Sequence, residues 1–294
     1  MRVLILGAGG MLGHKVWQIF RDRFDCRAAV RVRLPLPLFD DERVVDGFDA
    51  ADFEGVRRMI GTVRPDVIVN CIGVVKQLAA AHDPIASITL NSLFPHIVSR
   101  ASAETGARMI HISTDCVFAG TRGHYVEADI PDAADLYGRS KLLGEVVESE
   151  QGGLPPLTIR TSIIGRELRT ANGLVEWFLA NRGGSVGGFT RAVFSGVTTA
   201  VLAETLATIL EQHPTLHGLY HVAAAPITKY DLLMMLNEAL GAGVMITPDD
   251  RVVIDRSLDA ARFQSATGLA APAWQEMIAA LAAESPRYER WRTE

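Results

Sequence analysis

A doubly wound parallel α/β sheet carrying a smaller mixed α/β lobe is the fold class this sequence predicts, and three observations predict it. Residues 2–6, apolar from Val3 onward, form a strand-like run that leads straight into glycines at 7, 10 and 13. Strand-like and helix-like segments then alternate as far as residue 161. Tyr137 and Lys141 stand one helical turn apart in the segment after the fifth strand. Such alternation builds a parallel sheet with helices on both faces.

Residues 2–6 read as a strand buried on both faces, as a parallel sheet requires. Gly7, Gly10 and Gly13, with Met11 and Leu12 between them, suit a tight turn, close approach to a pyrophosphate and close helix packing. The helical pattern from Leu12 to Phe20 adds N–H groups and a dipole that favour phosphate. A glycine turn kept for packing is the other reading; its place between a first strand and a helix favours dinucleotide binding.

A second strand at about Cys26–Val30 ends in Arg31, with Arg33 nearby and no carboxylate. An acidic residue there would grip the adenosine ribose, whereas arginine accommodates a 2′-phosphate, so NADP(H) is favoured and NAD(H) is the alternative. Val44-Val45 begins a short strand that ends near Asp49, a further cofactor-side candidate, and Asp52–Thr62 reads as a helix. Strand 66–73 brings Cys71, Ile72 and Gly73 to its carboxyl end, where ligands of open α/β sheets lie. Asp83 and Pro84 form a helix start, and that helix runs to about Glu104 carrying Asn91 toward the strand ends.

The fifth strand, Met109–Ile112, ends in Ser113-Thr114-Asp115-Cys116, polar groups suited to a substrate or to an ordinary capping turn. Residues 119–136 read as a loop at the mouth of a site. In the helix that follows, Leu142, Leu143, Val146 and Val147 supply an apolar stripe and Glu145 and Glu148 a polar one. A cation near a phenol favours its ionisation, so Lys141 is expected to lower the pKa of Tyr137. A sixth strand follows at Leu157–Thr161.

Beyond it, a helix around Leu174–Asn181, a glycine-rich turn at 183–188, and helices at Thr199–Gln212, Lys229–Leu240, Leu258–Ala266 and Trp274–Ala283 surround a strand at 218–222. The expected organisation is a dinucleotide-binding domain over residues 1–162, with segments near 190–222 packing back on it, and a substrate lobe over 163–294.

Composition narrows the function. Apolar residues make up 48% and charged residues 21%, and 29 basic against 34 acidic residues leave a net charge of −5 with no basic run, so no nucleic-acid footprint is expected. No apolar run reaches the length of a membrane span. Three scattered cysteines, no metal-ligand grouping and no leader-like opening segment point to a reduced, cytoplasmic protein without a metal site.

Taken together, the glycines at 7–13, Ser113-Thr114-Asp115, the run from Leu136 to Glu145 containing Tyr137 and Lys141, and Arg160-Thr161-Ser162 resemble the extended short-chain dehydrogenase/reductases, and within them the dTDP-4-dehydrorhamnose reductase group. That resemblance implies a Rossmann fold and reduction of a nucleotide-linked 4-keto-6-deoxysugar for polysaccharide precursors. Tyr137 would give a proton to the 4-keto oxygen, Thr114 would hydrogen-bond that oxygen, and Lys141 would tune Tyr137 and hold the nicotinamide ribose. Asp115, Cys116 and Ser162 are the substrate-side candidates.

Related dehydratases carry an acidic pair after the threonine. Here Asp115 is followed by Cys116, which cannot do the work of the second carboxylic acid, so dehydration is disfavoured. The stretch 191–198 lacks the Asp-Gln and Pro of the group's usual run, and Ile163-Ile164 replaces an aromatic, which leaves dTDP- and UDP-linked sugars both open. The resemblance also implies frequent homodimers. Its alternatives are a nucleotide-sugar epimerase and a non-catalytic regulatory subunit like that of methionine adenosyltransferase.

Overall fold

The computed structural model describes residues 1–74, 79–149 and 153–293. Its centre is a seven-stranded parallel sheet: Arg2–Leu6 (β1), Asp25–Ala29 (β2), Val44–Val45 (β3), Val67–Asn70 (β4), Arg108–Thr114 (β5), Leu157–Thr161 (β6) and Gly218–His221 (β7). The spatial order is β7-β6-β5-β4-β1-β2-β3. β1 pairs with both β2 and β4, so the order reverses there and leaves a crevice over the carboxyl ends.

The alternation of side chains explains the unbroken apolar reading of β1. Val3 and Ile5 join the core under helices Gly13–Phe20 and Thr199–Gln212, whereas Leu4 and Leu6 join the one under helices Phe53–Val63 and Phe94–Thr105. All four side chains are fully buried. Burying each contributes on the order of 1.5–3 kcal/mol, so one run of sequence anchors both helical layers.

The helix that opens at Pro84, with Asp83 accepting from the Ile85 N–H as its cap, is not a regular α-helix. It passes through a π-turn at Ile88–Leu93, where the Phe94 N–H bonds the Thr89 carbonyl, before Phe94–Thr105 continues as α. Pro95 supplies a reason: it has no N–H to give the Asn91 carbonyl. That carbonyl is instead approached by Gly144, where an added Cβ would sit 1.9 Å from it.

Several expectations are corrected. The Tyr137 helix is only Leu136–Leu143 and stops at Gly144; Glu145 is buried in an ion pair and Leu143 is exposed, so the anticipated stripes do not exist. The stretch around 183–188 is largely a strand, Ser185–Phe189, paired in parallel with Met245–Asp249. Ala192–Phe194 lies between Ile227–Thr228 and Ile254–Asp255, and Ile163–Ile164 pairs with Val197–Thr198. The helix placed at Leu258–Ala266 begins at Ala261. The last helix continues from Trp274 to Thr293 through Pro286. Tyr288 on that extension is 1% exposed in the core, and its burial works against the cost of about 3 kcal/mol of an interior proline.

No described helix is long and apolar enough to cross a membrane.

Candidate functional site

The glycine loop has the geometry of a cradle. Gly7 has φ +84°, which side-chain-bearing residues rarely adopt. A Cβ on Gly13 would fall 2.1 Å from the Gly7 carbonyl oxygen, so the helix can lie this close to the loop only with glycine there. No side chain caps the helix start at Leu12, which leaves its leading N–H groups for a phosphate. Ile72 packs onto Gly7, and its N–H bonds the Asn70 side chain; Cys71 and Gly73 follow at the end of β4. A dinucleotide's phosphates fit this cradle.

The two arginines after β2 part ways. Arg33 turns back and donates to the carbonyls of Phe39, Asp41 and Val44, so it braces its own loop. Arg31 is exposed and makes no hydrogen bond or ion pair with a described residue. Asp49 is exposed and caps the Ala51 N–H in a turn after β3.

β5 delivers Ser113 and Thr114 into the crevice, and Asp115 and Cys116 follow in a single 3₁₀ turn capped by the Thr114 hydroxyl, which accepts the Cys116 N–H at 3.1 Å. Helix Leu136–Leu143 begins against that turn. Asp135 caps it through the Gly138 N–H at 2.8 Å, and a Cβ on Gly138 would lie 2.2 Å from the Cys116 carbonyl oxygen. Glycine after Tyr137 is therefore what lets the phenol sit beside the strand end. The Thr114 hydroxyl hydrogen-bonds Tyr137 and favours its ionised form.

Burial overrides that help. Tyr137 is half-buried, and desolvation, reinforced by the neighbouring Cys116, Asp115 and Asp135, raises its pKa above the ordinary phenol value. The expected lowering by Lys141 is not found. The Lys141 amine donates to the Ile112 carbonyl at 2.8 Å, beneath Gly73, and burial pushes its own pKa down to about 8 against the opposing pull of Glu145 and Cys71. The phenol is thus a protonated acid at neutral pH, beside a lysine near its titration point.

Asn91 extends the site from the π-turn. Its Oδ1 accepts the Val74 N–H at 2.8 Å, and its Nδ2 donates to the Val74 carbonyl and the Ser140 hydroxyl. One side chain thus ties the loop after β4 to the Tyr137 helix. Asp115 is buried, and desolvation raises its pKa while Lys229 and Arg256 work the other way. These two cations come from far along the chain and were not foreseen; Lys229 lies 3.5 Å from the Phe194 ring centroid, and Arg256 donates to the Phe118 carbonyl at 2.8 Å. Only tertiary folding brings them to Asp115, so no local signal marked them. Ser162 lies after β6 and accepts the Val197 N–H through its carbonyl. Among the described residues, no three His, Cys, Asp or Glu side chains group as a metal site.

The family model of the RmlD substrate binding domain matches residues 1–286. Over 94% of this chain and 95% of the relative, the sequence is 27% identical to a dTDP-4-dehydrorhamnose reductase of Salmonella typhimurium. It is also 35% identical to methionine adenosyltransferase 2 subunit beta of Rattus norvegicus over 51% of this chain and 44% of that protein, so the match spans less than half of that relative's length. A dTDP-4-dehydrorhamnose reductase of Bacillus anthracis, solved in complex with NADP, shares the fold with a TM-score of 0.81 at 21% identity, covering 96% of this chain and 99% of that one.

Proposed function

Because this chain belongs to the RmlD substrate binding domain family, we propose that it reduces the 4-keto group of a nucleotide-activated 4-keto-6-deoxysugar, as an NAD(P)-dependent oxidoreductase of the extended short-chain type serving polysaccharide precursor synthesis. The reading rests on one geometric fact: Thr114, Tyr137 and Lys141 converge at the carboxyl end of β5, next to the glycine cradle.

In this reading Gly7, Gly10, Met11, Leu12 and Gly13 hold the diphosphate, Arg31 the 2′-phosphate, and Asp49, Cys71, Ile72 and Gly73 line the remainder of the dinucleotide. When bound, the nicotinamide supplies the hydride. Tyr137 donates its proton to the carbonyl oxygen, which completes the conversion of C=O to CH–OH, and Thr114 hydrogen-bonds that same oxygen. Charged Lys141 holds the nicotinamide ribose and offsets the negative charge left on the phenol. Asp115, Cys116 and Ser162 line the sugar side.

The test is NADPH oxidation with a panel of dTDP- and UDP-linked 4-keto-6-deoxysugars. Turnover with one member is expected, with NADPH preferred over NADH about tenfold, the value of one charge-assisted hydrogen bond of ~1.5 kcal/mol to the 2′-phosphate. Silence across the panel with NADPH still bound would favour a non-catalytic binding subunit instead, the reading suggested by the similarity to methionine adenosyltransferase 2 subunit beta.

A pH profile adds an independent check. kcat/KM for NADPH reports groups of the free enzyme. Below about 8 Lys141 is a cation, and above it the amine is neutral, so kcat/KM should fall as pH rises through that value. A profile flat to high pH would remove the charge of Lys141 from the mechanism.

A further inference from the structure

The last helix reaches back to the glycine loop through a buried polar contact. His14, in the first turn of helix Gly13–Phe20, is fully buried. Its Nδ1 lies 2.8 Å from the Gly10 carbonyl oxygen and its Nε2 lies 2.7 Å from the Tyr288 hydroxyl oxygen. A carbonyl only accepts, so Nδ1 carries the proton. Burial keeps the ring neutral, with its pKa pushed down to about 3, so Nε2 accepts from the Tyr288 O–H. Proton positions are therefore fixed along the whole chain from Tyr288 to His14 to Gly10.

Neighbouring contacts hold the helix in this register. Lys15 pairs with Glu284 at 2.6 Å, and Arg166, itself paired with Glu176, donates to the Ser285 carbonyl. The His14 and Tyr288 rings meet edge to face at 5.5 Å.

The Gly10 oxygen also accepts the backbone N–H of His14 at 3.0 Å. A trans peptide is planar, so the Gly10 C=O and the Met11 N–H point in opposite directions. Two donors drawing the oxygen inward turn the Met11 N–H outward, to the side where a helix start receives phosphate. We propose that His14 and Tyr288 are positioning residues that aim the Met11 N–H at the diphosphate of the dinucleotide, so that the last turns of the chain set cofactor affinity. This inference rests on the dinucleotide reading above.

The experiment measures NADPH binding to the full chain by calorimetry for wild type, Tyr288→Phe, His14→Ala and the double variant, with adenosine 2′-monophosphate as a probe lacking the diphosphate. Tyr288→Phe keeps the ring and loses only the hydroxyl. It should weaken NADPH about three- to tenfold, as one lost hydrogen bond would, and leave the monophosphate probe unchanged. The double variant should bind no worse than His14→Ala alone, because the two residues act as one unit. Unchanged NADPH affinity in a folded Tyr288→Phe, even with a lowered melting temperature, would overturn the proposal, as would equal loss for both probes. A wild-type chain that binds neither NADPH nor NADH would strike the dinucleotide reading itself.

Discussion

Tyr137→Phe is expected to cut keto-sugar turnover by about 10²–10⁴-fold while NADPH binds as before, the range associated with one positioned proton donor. The substitution removes one oxygen and keeps the ring, so the close seat of Gly138 against the Cys116 carbonyl is undisturbed. Rates are read by NADPH oxidation, and affinity by titration of NADPH in the absence of sugar. A variant that turns over at the wild-type rate would end the assignment of Tyr137 as the acid.

The electrostatics of the site bear on the proton that the reaction needs. A phenol whose pKa is raised by burial holds its proton at neutral pH and is ready to donate it, as reduction requires. Donation leaves a phenolate, which this environment disfavours unless a charged group comes close. Lys141 is the nearby candidate: one N–H of its ammonium goes to the Ile112 carbonyl, and two more donors remain.

The sequence and the structure agree where local chemistry decides the outcome. The run at β1, the glycines and the Asp83-Pro84 start each carry their own physical reason within a few residues, and each forms the element anticipated. Lys229–Leu240 and Thr199–Gln212 likewise match residue for residue. Agreement fails where partners are distant. The glycine-rich run at Ser185–Phe189 becomes a strand because Met245–Asp249, some 60 positions later, supplies a hydrogen-bonding edge. The short helix at Tyr137 ends where Gly144 must pass the Asn91 carbonyl, a contact set by a π-turn that no periodicity announces. The pKa of Tyr137 departs from the sequence expectation for the same reason. Helical spacing puts Lys141 on the phenol's face, but only the packed structure shows burial raising the phenol's pKa against the Thr114 hydroxyl, and the amine turned to Ile112.

Glu145→Ala is expected to destabilise the fold by about 3–5 kcal/mol, the cost of leaving a buried charge without its partner. Glu145 takes two hydrogen bonds from Arg160, each at 2.7 Å, and one from the Ser113 hydroxyl at 2.6 Å. Both ionic side chains are enclosed, with relative exposures of 4% for Arg160 and 7% for Glu145. Arg160 already has one buried nitrogen, Nη1, without a hydrogen-bond partner among the described residues, so loss of Glu145 would leave its guanidinium still less satisfied. By contrast, removing Glu289 from its exposed pair with Arg182 should cost at most about 1 kcal/mol. Denaturant midpoints of the two variants compare these directly, and equal losses would refute the claim that burial decides the difference. The same residue also touches the chemistry, because its carboxylate is the leading influence that opposes burial and keeps the Lys141 pKa up. Glu145→Gln keeps the shape and removes the charge, so the Lys141 pKa should drop further and the high-pH fall in kcat/KM should begin at lower pH than in the wild type. A limb that stays in place would separate Glu145 from the active lysine and leave it with the strand end alone.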